Sequence, residues 1–166
     1  MNMRTLEFRT PDARFGLSVQ GMTMDKIIAF CKASRHMETG GILVGYYTDK
    51  HDWAIVTDVS GPPADSRRGR VFFNRGVRGL QAFLNRLWRR KQYYLGEWHY
   101  HPLAAPIPSE IDHEQMKSFA TNNAMRCPEP VLLLMGGDPN RDWHAAAYVF
   151  PIGHDAIRMS EVDGRP

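Results

Sequence analysis

Two histidines separated by one residue, His99-Tyr100-His101, are followed by Pro102 and, after ten intervening residues, by Asp112, with Ser109 three places before that aspartate. Imidazole nitrogens and a carboxylate oxygen are zinc donors, and three protein ligands leave the fourth tetrahedral position to water, the arrangement of a hydrolytic rather than a structural centre. Each part also has an ordinary explanation. Paired histidines on a strand are commonly exposed or hydrogen-bonded, and a serine ahead of a helix with an acid three residues on is a capping arrangement in its own right. It is the combination, HxHP with Ser109 and Asp112 at these intervals, that points to a metal-dependent hydrolase, and capping and catalysis do not exclude one another.

Such a site needs a strand that ends at the histidines and a helix that starts at the aspartate. Tyr93 to His101 reads as that strand, and its alternation sends Glu97, His99 and His101 to one side and Trp98 and Tyr100 to the other. Twice the strand rise separates the two histidines by about 7 Å at Cα, close enough for both rings to converge on one ion. Pro102, Pro106 and Pro108 then carry the chain to a helix from Ser109 to about Thr121, with Asp112 in its first turn.

Elsewhere, Leu6 to Phe8 and Phe15 to Val19 suggest short strands, and Met24, Ile27, Ile28 and Cys31 recur at helical spacing within Thr23 to Ser34. Thr39 to Tyr47 and Trp53 to Val59 are strand-like, with a turn at Asp49 and Lys50. Val77, Leu80, Leu84, Leu87 and Trp88 line one face of a second helix, and Val131 to Met135 and Trp143 to Phe150 close the chain as strands. Between them, Gly61, Pro62 and Pro63 break regular structure, and Asp65, Ser66, Arg67, Arg68 and Arg70 mark residues 61–73 as an exposed, mobile loop. Strands and helices without a regular βαβ rhythm predict an α+β chain arranged as an α/β/α sandwich, a mixed, curved sheet flanked by helices.

At 166 residues and 43% hydrophobic, the chain predicts one domain spanning 1–166. Its 21 basic and 18 acidic side chains leave a net charge of +3, too balanced to argue for nucleic acid. Cys31 and Cys127 make no disulfide framework, the first sixteen residues lack a signal peptide's apolar stretch, and Val131 to Met135 is far too short to span a bilayer. These features predict a reduced, cytoplasmic setting without a membrane partner. Among the remaining residues, His113 lies a third of a turn from Asp112, and His36, His51, His144 and His154 have no partner at ligand spacing. Cys31 reads as core, Glu97 as either an orienting partner for a histidine or an exposed acid, and the arginines from Arg67 to Arg90 as a solvated surface.

Together with Glu38 ahead of the glycine-rich strand Thr39-Gly40-Gly41-Ile42-Leu43-Val44-Gly45, the HxHP, Ser109 and Asp112 pattern resembles the JAMM (MPN+) metalloprotease motif, over approximately residues 20 to 150 and with no motif position departing from it. The resemblance implies a zinc isopeptidase that releases ubiquitin or ubiquitin-like proteins from amines. It assigns Glu38 as general base, His99, His101 and Asp112 as ligands of one zinc per chain, and Ser109 as an aid to the oxyanion. More narrowly, the run from Ser60 to Arg70 and the opening Gly96-Glu97-Trp98-His99 are similar to the small bacterial JAMM proteins of antiviral CBASS operons. There the implied protein substrate is the operon's cyclic-nucleotide synthase, conjugated to a target through its extended C-terminal tail, and the loop at 61–73 is expected to order over that tail by adding a strand to it. Other readings are a deubiquitinase-like protease for a bacterial ubiquitin-like or sulfur-carrier protein, and a non-catalytic MPN scaffold, which typically lacks the ligand set.

Overall fold

Strand Tyr93–Pro102 (β7) is the spine of the molecule, and its two faces have opposite chemistry. Trp98 and Tyr100 point into the largest apolar cluster, whereas Glu97, His99 and His101 face outward, as their alternation predicts. The computed structural model describes residues 3–162, so the ends of the expected 1–166 domain, residues 1–2 and 163–166, lie outside the described residues.

The strands, in chain order, are β1 (Leu6–Arg9), β2 (Gly16–Val19), β3 (Thr39–Tyr47), β4 (Trp53–Val59), β5 (Arg67–Arg68), β6 (Phe73–Asn74), β7, β8 (Val131–Gly137), β9 (Trp143–Val149) and β10 (Ile157–Glu161). The helices are α1 (Gly21–Ser34), α2 (Leu80–Trp88) and α3 (Glu110–Thr121). Eight strands follow the order β1-β10-β9-β8-β7-β3-β4-β2, and β1 also pairs with β2, so the sheet closes on itself. The α+β class is as expected and the sheet is mixed, with parallel β2–β4 and β7–β8 pairs. The expected sandwich, a curved sheet flanked by helices, is corrected in one respect: the sheet closes into a barrel. The cause is β10, whose five residues carry no long apolar pattern yet join β9 to β1 and so remove both edges.

Helix α1 puts Met24, Ile27 and Cys31 into the interior cluster with Leu17, Leu43, Val56, Trp98 and Leu133. Burial pushes the Cys31 thiol up to about 12, consistent with a core residue, and both cysteines are free. The outer face is covered by the other helices. Leu80 and Leu87 of α2 pack on Ile42, Val44 and Tyr94, and Met116 of α3 packs on Leu132, Leu134 and Phe150. Helix α2 starts three residues later than its apolar spacing suggested, after Gly79 at φ +83°, so Val77 and Trp88 are exposed rather than part of its buried face. No helix among the described residues is long and apolar enough to cross a membrane.

The stretch at 61–73 takes a defined shape. Arg67 and Arg68 pair with Asn74 and Phe73, and Asp65 accepts the N–H groups of Val77 and Arg78.

Candidate active site

His99 and His101 share a face because β7 is regular there, and β3 runs beside them in antiparallel register, Thr39 opposite Tyr100 and Gly40 opposite His99. Continued by one residue, that register sets Glu38 opposite His101. The approach is so close that a Cβ on Gly40 would lie 2.4 Å from the Trp98 carbonyl and 2.7 Å from both His99 and Phe73. Glycine at this position is therefore what lets β3 lie against the histidine strand.

Asp112 arrives from the other side. In α3 it lies one turn before Met116 and two before Ala120, all three buried, so the acid occupies the end of the helix's packed stripe. Ser109 caps this helix as its sequence suggested. Its hydroxyl accepts the Asp112 N–H at 3.1 Å, while its own N–H donates to Asp112 Oδ2 at 2.7 Å and its hydroxyl proton to the same oxygen at 2.9 Å. That single hydroxyl proton is thus committed to Asp112, which makes Ser109 first of all an orienting partner of the carboxylate.

The Asp112 carboxylate lies between both imidazoles, with Oδ1 2.7 Å from His99 Nδ1 and Oδ2 3.4 Å from His101 Nε2. Burial pushes its pKa up, but bonds from His101, His99 and the Ser109 N–H outweigh that and hold it well below the ordinary carboxylate range. For His101, burial favours the neutral ring, yet the Asp112 hydrogen bond and the nearby charges of Asp112 and Glu38 raise its pKa overall. Glu38 is half-buried, and desolvation raises its pKa against the pull of His101. The charges of His101 and His99 lower it and that of Asp112 raises it, without cancelling the effect of burial.

Two observations bear on a metal. His99 Nε2 is buried without a hydrogen-bond partner, which is costly for an imidazole nitrogen unless something else engages it. The 3.4 Å between His101 Nε2 and Asp112 Oδ2 matches the edge of a tetrahedron with zinc-ligand bonds near 2.0–2.1 Å, about 3.3 Å. Among the described residues no three His, Cys, Asp or Glu groups already surround a common point, because Asp112 is drawn onto His99 Nδ1. The donor types suit the ion; His99 Nε2 lies across the ring from the Nδ1 that Asp112 occupies, so a shared ion requires the His99 ring or the Asp112 carboxylate to turn from this arrangement.

The structure settles the other sequence readings. Glu97 is fully buried rather than exposed, accepting Arg75 Nε at 2.7 Å and the Tyr94 hydroxyl at 2.7 Å. Arg75, assigned to a solvated surface, is 5% exposed and is corrected accordingly. Phe73, which the sequence did not mark, stands edge-on to His99 with ring centroids 5.3 Å apart. The one available signal was the short apolar run Val71-Phe72-Phe73 inside an otherwise polar, arginine-rich stretch. His113 packs against Phe150 and His51 against Tyr47, so neither joins the cluster.

Comparison with known proteins gives the family. Residues 22–147 match the family described as prokaryotic homologues of the JAB domain (Prok-JAB). A protein of Enterobacter hormaechei subsp. hoffmannii named "CD-NTase/cGAS isopeptidase" is 38% identical over 162 residues, covering 98% of this chain and 90% of the relative. One of Sinorhizobium fredii named "Probable metalloprotease y4qB" is 28% identical, covering 76% of this chain and 79% of that one. In fold, the chain is similar to the solution structure of protein DSY2949 from Desulfitobacterium hafniense, at a TM-score of 0.62 and 17% identity, covering 87% of this chain and 88% of that one. With its matched span covering both histidines, Ser109, Asp112 and Glu38, this chain belongs to the Prok-JAB family, among relatives that include CD-NTase/cGAS isopeptidases.

Proposed function

We propose that this protein is a zinc-dependent isopeptidase, hydrolysing the amide between the C-terminus of a conjugated protein and an amine or lysine of its target. The observation that carries the reading is the contact of His99 and His101 on β7 with Asp112 in the first turn of α3, with Glu38 at the register position opposite His101. His99, His101 and Asp112 would hold the ion, which when bound supplies water acidification and carbonyl polarisation.

The remaining work falls to side chains. Glu38, with its proton affinity raised by burial, takes a proton from the attacking water as the new C–O bond forms at the carbonyl carbon. It returns that proton to the nitrogen as the C–N bond breaks, leaving a carboxylate on one product and a free amine on the other. Ser109 orients Asp112 through two bonds to Oδ2 and, once its hydroxyl proton is released from that contact, donates to the charge developing on the carbonyl oxygen.

A relative named CD-NTase/cGAS isopeptidase supports a CD-NTase, a cyclic-nucleotide synthase, as the conjugated substrate, and we take its extended C-terminal tail as the segment that enters the site. The 67–74 hairpin beside His99 is suited to pair with that tail by adding a strand.

The test is purified protein on two synthase-tail fusions, one joined through a peptide bond and one through a lysine side chain, with and without chelator. Cleavage at the tail's last residue that chelation stops and zinc restores is expected. Absence of cleavage with less than one zinc bound per chain would instead favour a binding scaffold. The His101→Ala variant should show metal well below one per chain by elemental analysis, and unchanged occupancy would remove His101 from the ligand set.

A further inference from the structure

We propose that Arg75 is a positioning residue for the reaction: it pins the 67–74 hairpin, and the hairpin in turn holds Glu38 and His99. Only the rate measurement below rests on the isopeptidase reading. Each element that supplies the site touches the hairpin. The Gly69 carbonyl accepts the N–H of Glu38 at 2.8 Å. Phe73 stands against the His99 ring, with Gly40 leaving no slack between them. Gln115, one turn beyond Asp112 on α3, donates Nε2 to Asn74 Oδ1 at 2.6 Å and to the Phe73 carbonyl at 3.5 Å.

The hairpin cannot hold this position alone. Its paired strands are two residues each, Val71 beyond them is 84% exposed, and an isolated two-stranded ribbon is marginal in water. Arg75, directly after the second strand, supplies the anchor. Its Nε bonds to Glu97 Oε2 at 2.7 Å, its Nη1 donates to the Gly76 carbonyl at 2.8 Å, and its guanidinium lies 4.9 Å over the Phe119 ring of α3. Apolar residues would stabilise such a site about as well as a buried ion pair does. What the pair adds is direction, tying the hairpin root to β7 two residues before His99.

The test compares the full-length protein with Arg75→Met, Arg75→Lys and the double variant Arg75→Met/Glu97→Gln, which leaves no unpaired buried charge should the single variant fail to fold. Tryptic cleavage at Arg67, Arg68 and Arg70, read by mass spectrometry without any substrate, should quicken about tenfold or more in the Met variants. The His99 imidazole resonances should shift as the Phe73 ring withdraws, and kcat on the fusion should fall about tenfold to a hundredfold with KM nearly constant and zinc content intact. Arg75→Lys, which keeps the charge and loses the fork, should fall between.

Unchanged tryptic lifetimes or unchanged His99 resonances in a folded variant overturn the assignment, whether or not the protein cleaves conjugates. Faster proteolysis with undiminished kcat overturns it too, since the hairpin would then be anchored without positioning anything. If the unmodified protein cleaves no conjugate, the functional reading fails while the first two measurements still decide the role of Arg75.

Discussion

Two buried acids lie on the outer side of β7 or against it, and their surroundings differ in one respect. Glu97 is saturated: one oxygen accepts the Tyr94 hydroxyl, the other accepts Arg75 Nε, and the guanidinium is itself bonded and stacked. Asp112 is also well bonded, but the cluster around it is not closed. His99 Nε2 has no partner, and Glu38 is half-buried with a raised pKa beside two imidazoles. A saturated buried network spends its interactions on holding a shape, whereas one with an unengaged donor or acceptor retains interactions for something it binds. By this criterion the first cluster is structural and the second is the place for chemistry, although both border the same face of β7.

The sharpest way to separate them is to remove one acid from each. Glu38→Gln should lower turnover by about 10² to 10⁴ while the thermal melt and bound metal stay as they were, and retained turnover would dismiss Glu38 as the base. Glu97→Leu should do the opposite to the fold, leaving a guanidinium that is 5% exposed without its partner, at a cost of about 3–5 kcal/mol in denaturant unfolding. Equal stability in that variant would mean that the saturated cluster contributes nothing to holding β7 and the hairpin.

A smaller effect is expected where the two roles overlap. Ser109→Ala removes a helix cap and a bond to Asp112, so about 1 kcal/mol of stability should go with a measurable weakening of metal binding in a competition titration. Loss of stability alone would leave Ser109 as a cap and nothing more.

Smallest is the pH response of the metal-free protein. The folded-state pKa of His101 is raised above its ordinary 6.5, so the stability it contributes is fully present below that value and is lost as pH rises through the folded pKa. Asp112, held low, contributes above the ordinary carboxylate value of 3.8 and loses its contribution only as pH falls well into the acid range. The melting temperature of the metal-free protein should therefore decline on the alkaline side of 6.5, and Asp112→Asn should flatten that decline. Zinc, competing with the proton on His101, should reverse it.

Most of the candidate site was legible because its signals are local. Strand alternation placed His99 and His101 together and Trp98 and Tyr100 in the core, and the Ser109–Asp112 spacing marked both a cap and an inward-facing acid. Helix faces and most strands follow from residue periodicity in the same way, which needs only a few neighbours along the chain. Long-range pairing decided the rest. Glu38 is set opposite His101 only by continuing the β3–β7 register, and β10 closes the barrel through partners on β9 and β1. A bulge in β7 leaves Leu95 without a partner on β3, which turns Tyr94 to the outer face and brings its hydroxyl to Glu97. No spacing rule encodes that reversal, because it arises where two strands of different local length must stay in step, and the energy that selects it is shared between them.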